Sequence, residues 1–378
     1  MRTVLIVGAG GSRAQAASYR PQHTFGHPPL DGDFFDKTTQ LAKVRPVVAR
    51  RVRDLRAALG RNPAFYDPWG RASVTMEQFF ADIYYAVAAT STAPPEALSA
   101  FIETVRLYVQ VLAETTNWVS DLRRQGDLDR LIRHELRQAS PLTVITFNHD
   151  LIIESVAAKL PSRPGQWCLR SLYGGVGLTN LQWPTGRLLP LHDADCRDQA
   201  PFTLLKLHGS VNWFMRSQSV TPPVSTLFPT SGQQRTIFVS NRGDVAIDTR
   251  LRRRAVGRGR PTWYTWPLVV TPIYDKQRIT GMGLLQEVWD QANAAIMEAE
   301  RLVLFGYSLP DADVLSKQLL RTAVRRNPSL NCIDCVNPDA QVVSKLRQLL
   351  DSPVIRLYRD ASSYLTYSGT PVPAATPA

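Results

Sequence analysis

The chain has 378 residues, of which 44% are hydrophobic and 20% are charged. A chain of this length and composition can bury a sizeable core, which excludes a disordered or fibrous protein. No stretch reaches the roughly 18 apolar residues of a membrane span, and the N-terminus lacks a signal peptide's features, so we expect a soluble cytoplasmic protein. The net charge of +12 favours nucleic acid, acidic partners or phosphorylated small molecules without choosing among them.

The predicted elements begin with an apolar strand at residues 4–7, which runs into a glycine-rich turn. Later apolar runs, each followed by a turn signal, are typical of strands buried on both faces. In the C-terminal half they alternate with helical patterns, which predicts an α/β fold with a Rossmann-like, doubly wound parallel sheet. The runs are 142–146, 203–207, 268–271, 302–305, 330–336 and 354–357, and the helical patterns are 283–299, 311–326 and 339–350.

The N-terminal half departs from that alternation and predicts a large helical insertion at about residues 37–138. It contains helical periodicity over 37–59, 74–88 and 96–136. We expect one domain over residues 1–361, with loop insertions at about 162–200 and 216–261 that are rich in glycine, proline or polar residues. The Pro- and Ala-rich tail, 362–378, is expected to be disordered.

A basic segment at residues 249–260 carries half of the net charge. Two interpretations remain open: a solvated loop, or a contact with nucleic acid, an acidic partner or a neighbouring subunit. Its arginines are Arg250, Arg252, Arg253, Arg254, Arg258 and Arg260.

The four cysteines do not indicate a metal or disulfide framework. Cys332 and Cys335 form a C-x-x-C pair, but no second pair is present to complete four zinc ligands. On the strand predicted there, the two side chains would point to opposite faces. We therefore expect no zinc site. Four cysteines are also too few to form a disulfide framework in a chain of this length.

Polar residues and glycines follow five of the predicted strands. The first strand leads into Gly8, Ala9, Gly10, Gly11 and Ser12, a turn that lets backbone N–H groups and a helix N-terminus approach a pyrophosphate. Arginine at the third position of the dinucleotide fingerprint, and the lack of a following lysine, exclude the usual dehydrogenase and P-loop patterns.

The other four strand ends carry the remaining candidate residues. Because ligands of open α/β sheets bind outside the carboxyl ends of the strands, these residues predict one shared crevice. Each also has a structural explanation, as a helix N-cap, a satisfied histidine or a turn glycine. Strand alternation would point His149 away from its neighbour, towards the core or a packed helix. The residues are Thr146, Asn148, His149 and Asp150; His208; Gly306 and Ser308; and Asn337.

The ordered motifs GAGxS, T-x-N-x-D, L-H-G, G-x-S and V-N resemble the sirtuin family of NAD-dependent enzymes over about residues 1–360. The resemblance implies a sirtuin-like Rossmann fold that binds NAD. It makes Asn148, Asp150 and His208 the catalytic set, with His208 as base and the other two positioning the nicotinamide ribose and amide. It implies a cofactor-binding set of Gly8, Ala9, Gly10, Ser12, Thr146, Gly306, Ser308 and Asn337.

The departures from that family point to a subgroup. Deacylating sirtuins carry glutamine where Phe147 stands, an arginine-bearing segment in place of residues 28–36, and a four-cysteine zinc module. NAD-binding parts without peptide-binding parts are similar to the bacterial sirtuin-like NAD hydrolases of anti-phage defence. That resemblance implies NAD⁺ glycohydrolase activity, activation by a partner or phage signal, a homo-oligomer and a partner of the HerA-type ATPase and DNA translocase class.

Two alternatives stay open: an NAD-dependent protein deacylase, and a non-catalytic NAD- or ADP-ribose-binding subunit of a DNA-processing complex. Cleavage of the nicotinamide–ribose bond builds oxocarbenium character, which a buried electrostatic site stabilises. Asn148 can hold a ribose hydroxyl or orient a water, and His208 can accept a proton near neutral pH.

Overall fold

A computed structural model describes most of the chain. The described residues are 1–18, 27–62, 64–71, 73–88, 95–116, 125–138, 141–160, 169–176, 178–181, 188–189, 200–217, 237–240, 264–270, 283–310, 313–350 and 354–368. None of the helices in these ranges is both long and apolar enough to cross a membrane.

Eleven strands are described within these ranges, and they belong to two sheets. In chain order they are β1 (Thr3–Val7), β2 (Leu142–Thr146), β3 (Leu178–Leu181), β4 (Leu188–Leu189), β5 (Thr203–Lys206), β6 (Gly209–Ser217), β7 (Ile237–Ser240), β8 (Tyr264–Val269), β9 (Arg301–Phe305), β10 (Cys332–Val336) and β11 (Val354–Tyr358).

The α-helices within the same ranges flank the sheets or form the insertion. In chain order they are α1 (Ala9–Ala17), α2 (Phe34–Ala42), α3 (Pro46–Leu59), α4 (Met76–Ala88), α5 (Pro95–Thr116), α6 (Asp127–Gln138), α7 (Ile152–Ala158), α8 (Leu169–Leu172), α9 (Gly283–Met297), α10 (Val314–Arg325), α11 (Gln341–Leu349) and α12 (Ala361–Tyr367). Short 3-10 helices precede α2 and α4, at Asp31–Asp33 and Pro68–Gly70.

The main sheet has the strand order β11-β10-β9-β1-β2-β5, and every neighbouring pair is parallel. β1 lies in the middle, and Val7 at its end is in register with Thr146 on one side and Phe305 on the other. The chain proceeds outward from β1 in both directions, so the strand order reverses between β1 and β9. This confirms the predicted α/β, Rossmann-like parallel sheet with a large helical insertion. In open parallel sheets, a reversal of this kind is where a crevice is expected.

The helical insertion has a core of its own. Helices α2 to α5 bury an aromatic-rich cluster that includes Phe34, Phe79, Phe80 and Phe101, separate from the core around the parallel sheet. Pro46 divides the periodic segment 37–59 into two helices, since proline is favoured at a helix start and disfavoured inside one. Helix α6, at the end of the predicted insertion, packs its apolar face on the sheet core instead of on this cluster.

A second, mixed sheet has the order β4-β3-β7-β6-β8. The apolar run at 268–271, expected in the parallel sheet, instead ends β8, which pairs antiparallel with β6. Short strands β3, β4 and β7 fall within the segments 162–200 and 216–261, which the sequence predicts as loops. The basic segment 249–260 lies outside the described residues.

The two cysteines of the C-x-x-C pair lie on β10. Cys335 is fully buried, whereas Cys332 is partly exposed and its Sγ lies 3.0 Å from a guanidinium nitrogen of Arg356. Across the described ranges, no group of three metal-ligating side chains comes together. The other two cysteines fall outside those ranges.

The prediction that residues 362–378 form a disordered tail is wrong for the first of these residues. Residues Ala361–Tyr367 form α12, whose Tyr364 is fully buried and donates a hydrogen bond of 2.6 Å to Glu135 Oε1. Arg301 also donates to the Tyr364 hydroxyl. One buried tyrosine with two charged partners therefore anchors the helix to the sheet. The remaining residues, 369–378, lie outside the described part.

Asp360 caps α12, and its replacement by alanine is expected to lower the free energy of unfolding by about 1 kcal/mol. Its carboxylate accepts from the backbone N–H of Ser363 at 2.8 Å. This bond and a side-chain hydrogen bond with Ser363 hold the pKa of Asp360 below its ordinary value. The stabilisation is therefore present above the ordinary pKa and lost as pH falls through the lowered one.

Urea unfolding of the wild type, Asp360→Ala and Asp360→Asn as a function of pH measures this effect. Asparagine retains a capping acceptor and should stay close to the wild type at neutral pH. An alanine variant as stable as the wild type at neutral pH would show that the cap contributes nothing.

Candidate active site

A cavity of about 890 Å³ opens at the carboxyl edge of the parallel sheet, beneath the helical insertion. It brings together residues from the ends of β1, β2, β5, β9 and β10, which the chain separates by up to about 330 positions. All but one of the sequence-predicted site residues line it. They are Gly8, Ala9, Gly10, Ser12, Asn148, Asp150, His208, Gly306, Ser308 and Asn337.

Thr146 is the predicted residue that does not line the cavity. It is the last residue of β2 and fully buried, and its hydroxyl donates to the carbonyl of Val7 at 2.8 Å. The same oxygen accepts from the backbone N–H of Asn148 at 3.1 Å. Thr146 therefore ties β2 to β1 and fixes where the following loop begins, instead of facing a ligand.

Asn148, Ser12 and Asp150 form one hydrogen-bonded chain. The Asn148 side-chain amide donates to the carbonyl of Gly8 and to Ser12 Oγ, both at 2.9 Å. Ser12 Oγ in turn donates to Asp150 Oδ2 at 2.8 Å. These bonds link the start of α1 to the loop after β2, so the glycine turn and the first residues of α1 set the orientation of Asn148.

Hydrogen bonds and a neighbouring buried lysine fix the position of Asp150. Burial raises the pKa of its carboxyl, and hydrogen bonds from the Ile152 N–H and from Ser12 act against that rise. Lys206, fully buried at the end of β5, donates to the Asp150 backbone carbonyl and pairs with Glu154 Oε1 at 2.8 Å. Lys206 was not among the predicted site residues, although a lysine within the apolar run Leu-Leu-Lys-Leu is a signal of a buried partner.

The two glycine turns pack directly against each other. The N–H groups of Gly8 and Gly10 donate to the carbonyls of Phe305 and Gly306, each at 3.0 Å. A Cβ on Gly8 would lie 2.5 Å from the Gly306 carbonyl oxygen, so no larger residue fits without movement. These two N–H groups therefore join the turns and do not face a phosphate, contrary to the expectation for a glycine loop.

A helix N-terminus and an arginine lie at this end of the cavity. Helix α1 begins at Ala9, at the cavity wall, so the positive end of its dipole faces the space. Arg13 lines the cavity and pairs with Asp33 at 2.5 Å, which ties α1 to the 3-10 helix that precedes α2.

His208 lies between β5 and β6 and is 7% exposed. Its backbone carbonyl accepts from the Val270 N–H at 2.8 Å, and the preceding carbonyl, of Leu207, accepts from the Trp289 indole at 2.9 Å. The imidazole ring lies 5.2 Å from the ring of Phe147, measured between centroids. The anchored backbone and the close aromatic packing limit the positions that the imidazole ring can occupy.

Two further cavity residues, Tyr307 and Asp313, were missed by sequence analysis as parts of the site. The Tyr307 ring stacks on Phe147 at 4.7 Å between centroids, and its hydroxyl donates to Asp313 Oδ2 at 2.9 Å. Asp313 Oδ1 lies 3.7 Å from His208 Nε2. The Gly-Tyr-Ser-Leu-Pro-Asp-Ala-Asp run carried these residues, but its spacing did not indicate which carboxylate would turn inward.

His149 connects the cavity to the insertion. It is buried and turned towards the packed helix α5, as expected, although β2 already ends at Thr146. Its Nδ1 lies 2.8 Å from the hydroxyl of Tyr108 on α5, and both residues line the cavity. The insertion therefore forms part of the cavity wall.

No family model and no curated protein matches the chain. Solved Sir2 structures are similar to it over 96% of its length. They include a mutant Sir2 homologue in complex with ADP-ribose (14% identity, 88% of that chain covered, TM-score 0.40) and a Sir2 mutant with a p53 peptide and NAD (11% identity, 90% covered, TM-score 0.32). These TM-scores and identities are too low to transfer a function, so the functional conclusion depends on the geometry of the cavity.

Proposed function

We propose that the chain is an NAD⁺ glycohydrolase that releases nicotinamide and ADP-ribose. The observation that supports this most is the convergence of Asn148 and His208, from different strand ends, on one cavity at the reversal of the sheet. Dinucleotides bind at that place in open parallel sheets. The cavity volume, about 890 Å³, also falls within the range of small-molecule sites.

The lining residues suit the parts of a dinucleotide in order along the sheet edge. The N-terminus of α1 and the guanidinium of Arg13 are assigned to the pyrophosphate, with Ser12 beside them at the cavity wall. Gly306, Ser308 and Asn337 lie towards β10 and are assigned to the adenosine half. Asn148 and His208 lie towards β2 and β5 and are assigned to the nicotinamide ribose.

The proposed reaction breaks the bond between ribose C1′ and the pyridine nitrogen, and the bonding electron pair leaves with nicotinamide. Both N–H donors of the Asn148 amide are taken by Gly8 and Ser12. Its carbonyl oxygen is therefore the group that accepts from a ribose hydroxyl or from the attacking water. His208 accepts the proton that the water loses as it adds to C1′, and releases it to solvent.

The biological role we propose is depletion of cellular NAD⁺ in bacterial anti-phage defence. It is supported by the motif resemblance and by residues 28–34, which stand where deacylating sirtuins have a different segment and which contribute to the cavity wall. Activation would come from a partner, for which a HerA-type ATPase is proposed, within a homo-oligomeric assembly. Contact of the basic segment 249–260 with DNA belongs to the same proposal.

The test is product analysis on the purified chain with NAD⁺, with and without the ATPase and with and without an acyl-lysine peptide. Equal amounts of nicotinamide and ADP-ribose, formed without peptide, would support the glycohydrolase. Nicotinamide release that requires the peptide and matches its deacylation would establish the deacylase instead. Binding of ADP-ribose with no turnover under any condition would leave the non-catalytic subunit.

A further inference from the structure

Asp313 occupies the N-cap position of α10 but does not cap it. Its backbone is non-helical, at φ −86° and ψ 58°, and its side chain makes no capping hydrogen bond to α10. An aspartate at this position ordinarily accepts from the N–H groups of the helix's first turn. The side chain is therefore used elsewhere, although it is only 3% exposed.

The carboxylate is instead directed into the cavity. Oδ2 accepts the hydrogen bond from Tyr307, and Oδ1 lies within ion-pair distance, 3.7 Å, of His208 Nε2. Tyr307 is itself fixed by its stack on Phe147. The tyrosine thus holds Oδ2, and Oδ1 lies on the side of the imidazole.

We propose that Asp313 is a positioning residue for His208, which orients the imidazole and stabilises the imidazolium formed when His208 accepts a proton. The inference rests on the proposed hydrolase function for its catalytic meaning, but the pairing itself is a property of the free protein. A carboxylate near a histidine favours the charged imidazole, and more so in a site shielded from water. Asp150 does not fill this role, because both of its carboxylate oxygens already accept from Ser12 and Ile152.

Other titratable groups near His208 remain in place when Asp313 is changed. The His149 ring lies 6.1 Å from that of His208, and its protonation would oppose that of His208. Burial raises the pKa of Tyr307 well above its ordinary value, so Tyr307 contributes a neutral hydroxyl. Asp150 lines the same cavity. The same neighbouring groups are therefore present in the wild type and in Asp313→Asn, and of these Tyr307 alone is described as bonding to the Asp313 carboxylate.

The test is Asp313→Asn, which keeps the size of the side chain and removes its charge. Because His208 must be neutral to act as a base, the rate rises with pH through its pKa, and loss of the carboxylate lowers that pKa. We expect the acid limb of the kcat/KM profile to move to lower pH by about one unit, with a plateau about tenfold lower. Tyr307→Phe, which keeps the stack and removes one hydrogen bond to Asp313, should give a smaller shift in the same direction.

A measurement without NAD⁺ separates this inference from the proposed function. The chain has six histidines, and the NMR signal of His208 is assigned by its loss in His208→Ala. A lower His208 pKa in Asp313→Asn supports the pairing, even if the wild type hydrolyses no NAD⁺ and the hydrolase proposal fails. An unchanged His208 pKa in a folded Asp313→Asn overturns the inference, whatever the activity. If that variant does not fold, the same titration of Tyr307→Phe decides.

Discussion

His208→Ala is expected to lower the rate of nicotinamide release from NAD⁺ by about 10²–10⁴-fold, the usual contribution of a general base. The loss should appear in kcat, because the proposed proton transfer takes place in the transition state and not on binding. Calorimetric titration with ADP-ribose should show nearly unchanged affinity, since the product lacks the water whose proton His208 removes. Asn148→Ala should lose rate to a similar extent, and it should also weaken binding, because its amide holds Gly8 and Ser12.

A matched control comes from His134→Ala. His134 lies on α6, bonds to Ser368 Oγ at 2.9 Å and does not line the cavity, so its removal should leave the rate per folded molecule unchanged. Wild-type turnover in both His208→Ala and Asn148→Ala would exclude the proposed mechanism. A double variant no slower than His208→Ala would indicate that the two residues act in the same step.

The parallel sheet and the polar residues at its carboxyl edge were predictable from sequence because both follow from the same local signal. Strands buried on both faces are continuous apolar runs, so a polar residue directly after such a run marks the carboxyl edge. Asn148 and His208 stand out for that reason, one after Leu142–Thr146 and the other after Thr203–Lys206. Parallel strands then bring these edges together without further information from the chain.

The parts that sequence analysis missed depend on which way one side chain turns. Thr146 and Asn148 are two positions apart, yet the first bonds across to β1 and the second faces the cavity, because β2 ends between them. Asp313 occupies the N-cap position of α10, and its contact with His208 is set by a tyrosine six residues away. Neither orientation follows from periodicity or spacing.

The assignment of β8 to the second sheet was missed for a different reason. An apolar run predicts a strand but not its partner, and a strand in a mixed sheet can be as apolar as one in a parallel sheet. The partner of β8 is β6, which follows His208 directly and carries a bulge between Ser210 and Phe214. Pairing of this kind is a long-range property of the fold.

Gly306→Ala is expected to lower the free energy of unfolding by about 2–5 kcal/mol, from two additive causes. The first is backbone conformation, since Gly306 has φ +60°, which costs an alanine roughly 1–2 kcal/mol. The second is space, because a Cβ there would lie 2.1 Å from the backbone nitrogen of Gly11. To remove that overlap, the end of β9 has to move away from α1. This movement lowers the free energy of unfolding by a further amount of about 1–3 kcal/mol.

Two other glycines separate these causes. Gly175 has φ +74° with no described atom within 4 Å of the position that a Cβ would take, so Gly175→Ala should show the backbone cost alone. Gly8 has φ −98°, but its Cβ would lie 2.5 Å from the Gly306 carbonyl oxygen, so Gly8→Ala should show the steric cost alone. Urea unfolding of the three variants should place Gly306→Ala near the sum of the other two.

Gly8→Ala and Gly306→Ala also test whether the contact between the two glycine turns determines the shape of the cavity. Gly8→Ala and Gly306→Ala push apart the two turns that meet at the reversal of the sheet, so both should weaken ADP-ribose binding in addition to stability. Gly175→Ala leaves that contact intact and should change stability only. Equal stability of the wild type and Gly306→Ala would mean that the turns can separate freely, and the close approach of β1 and β9 could then not define the binding site.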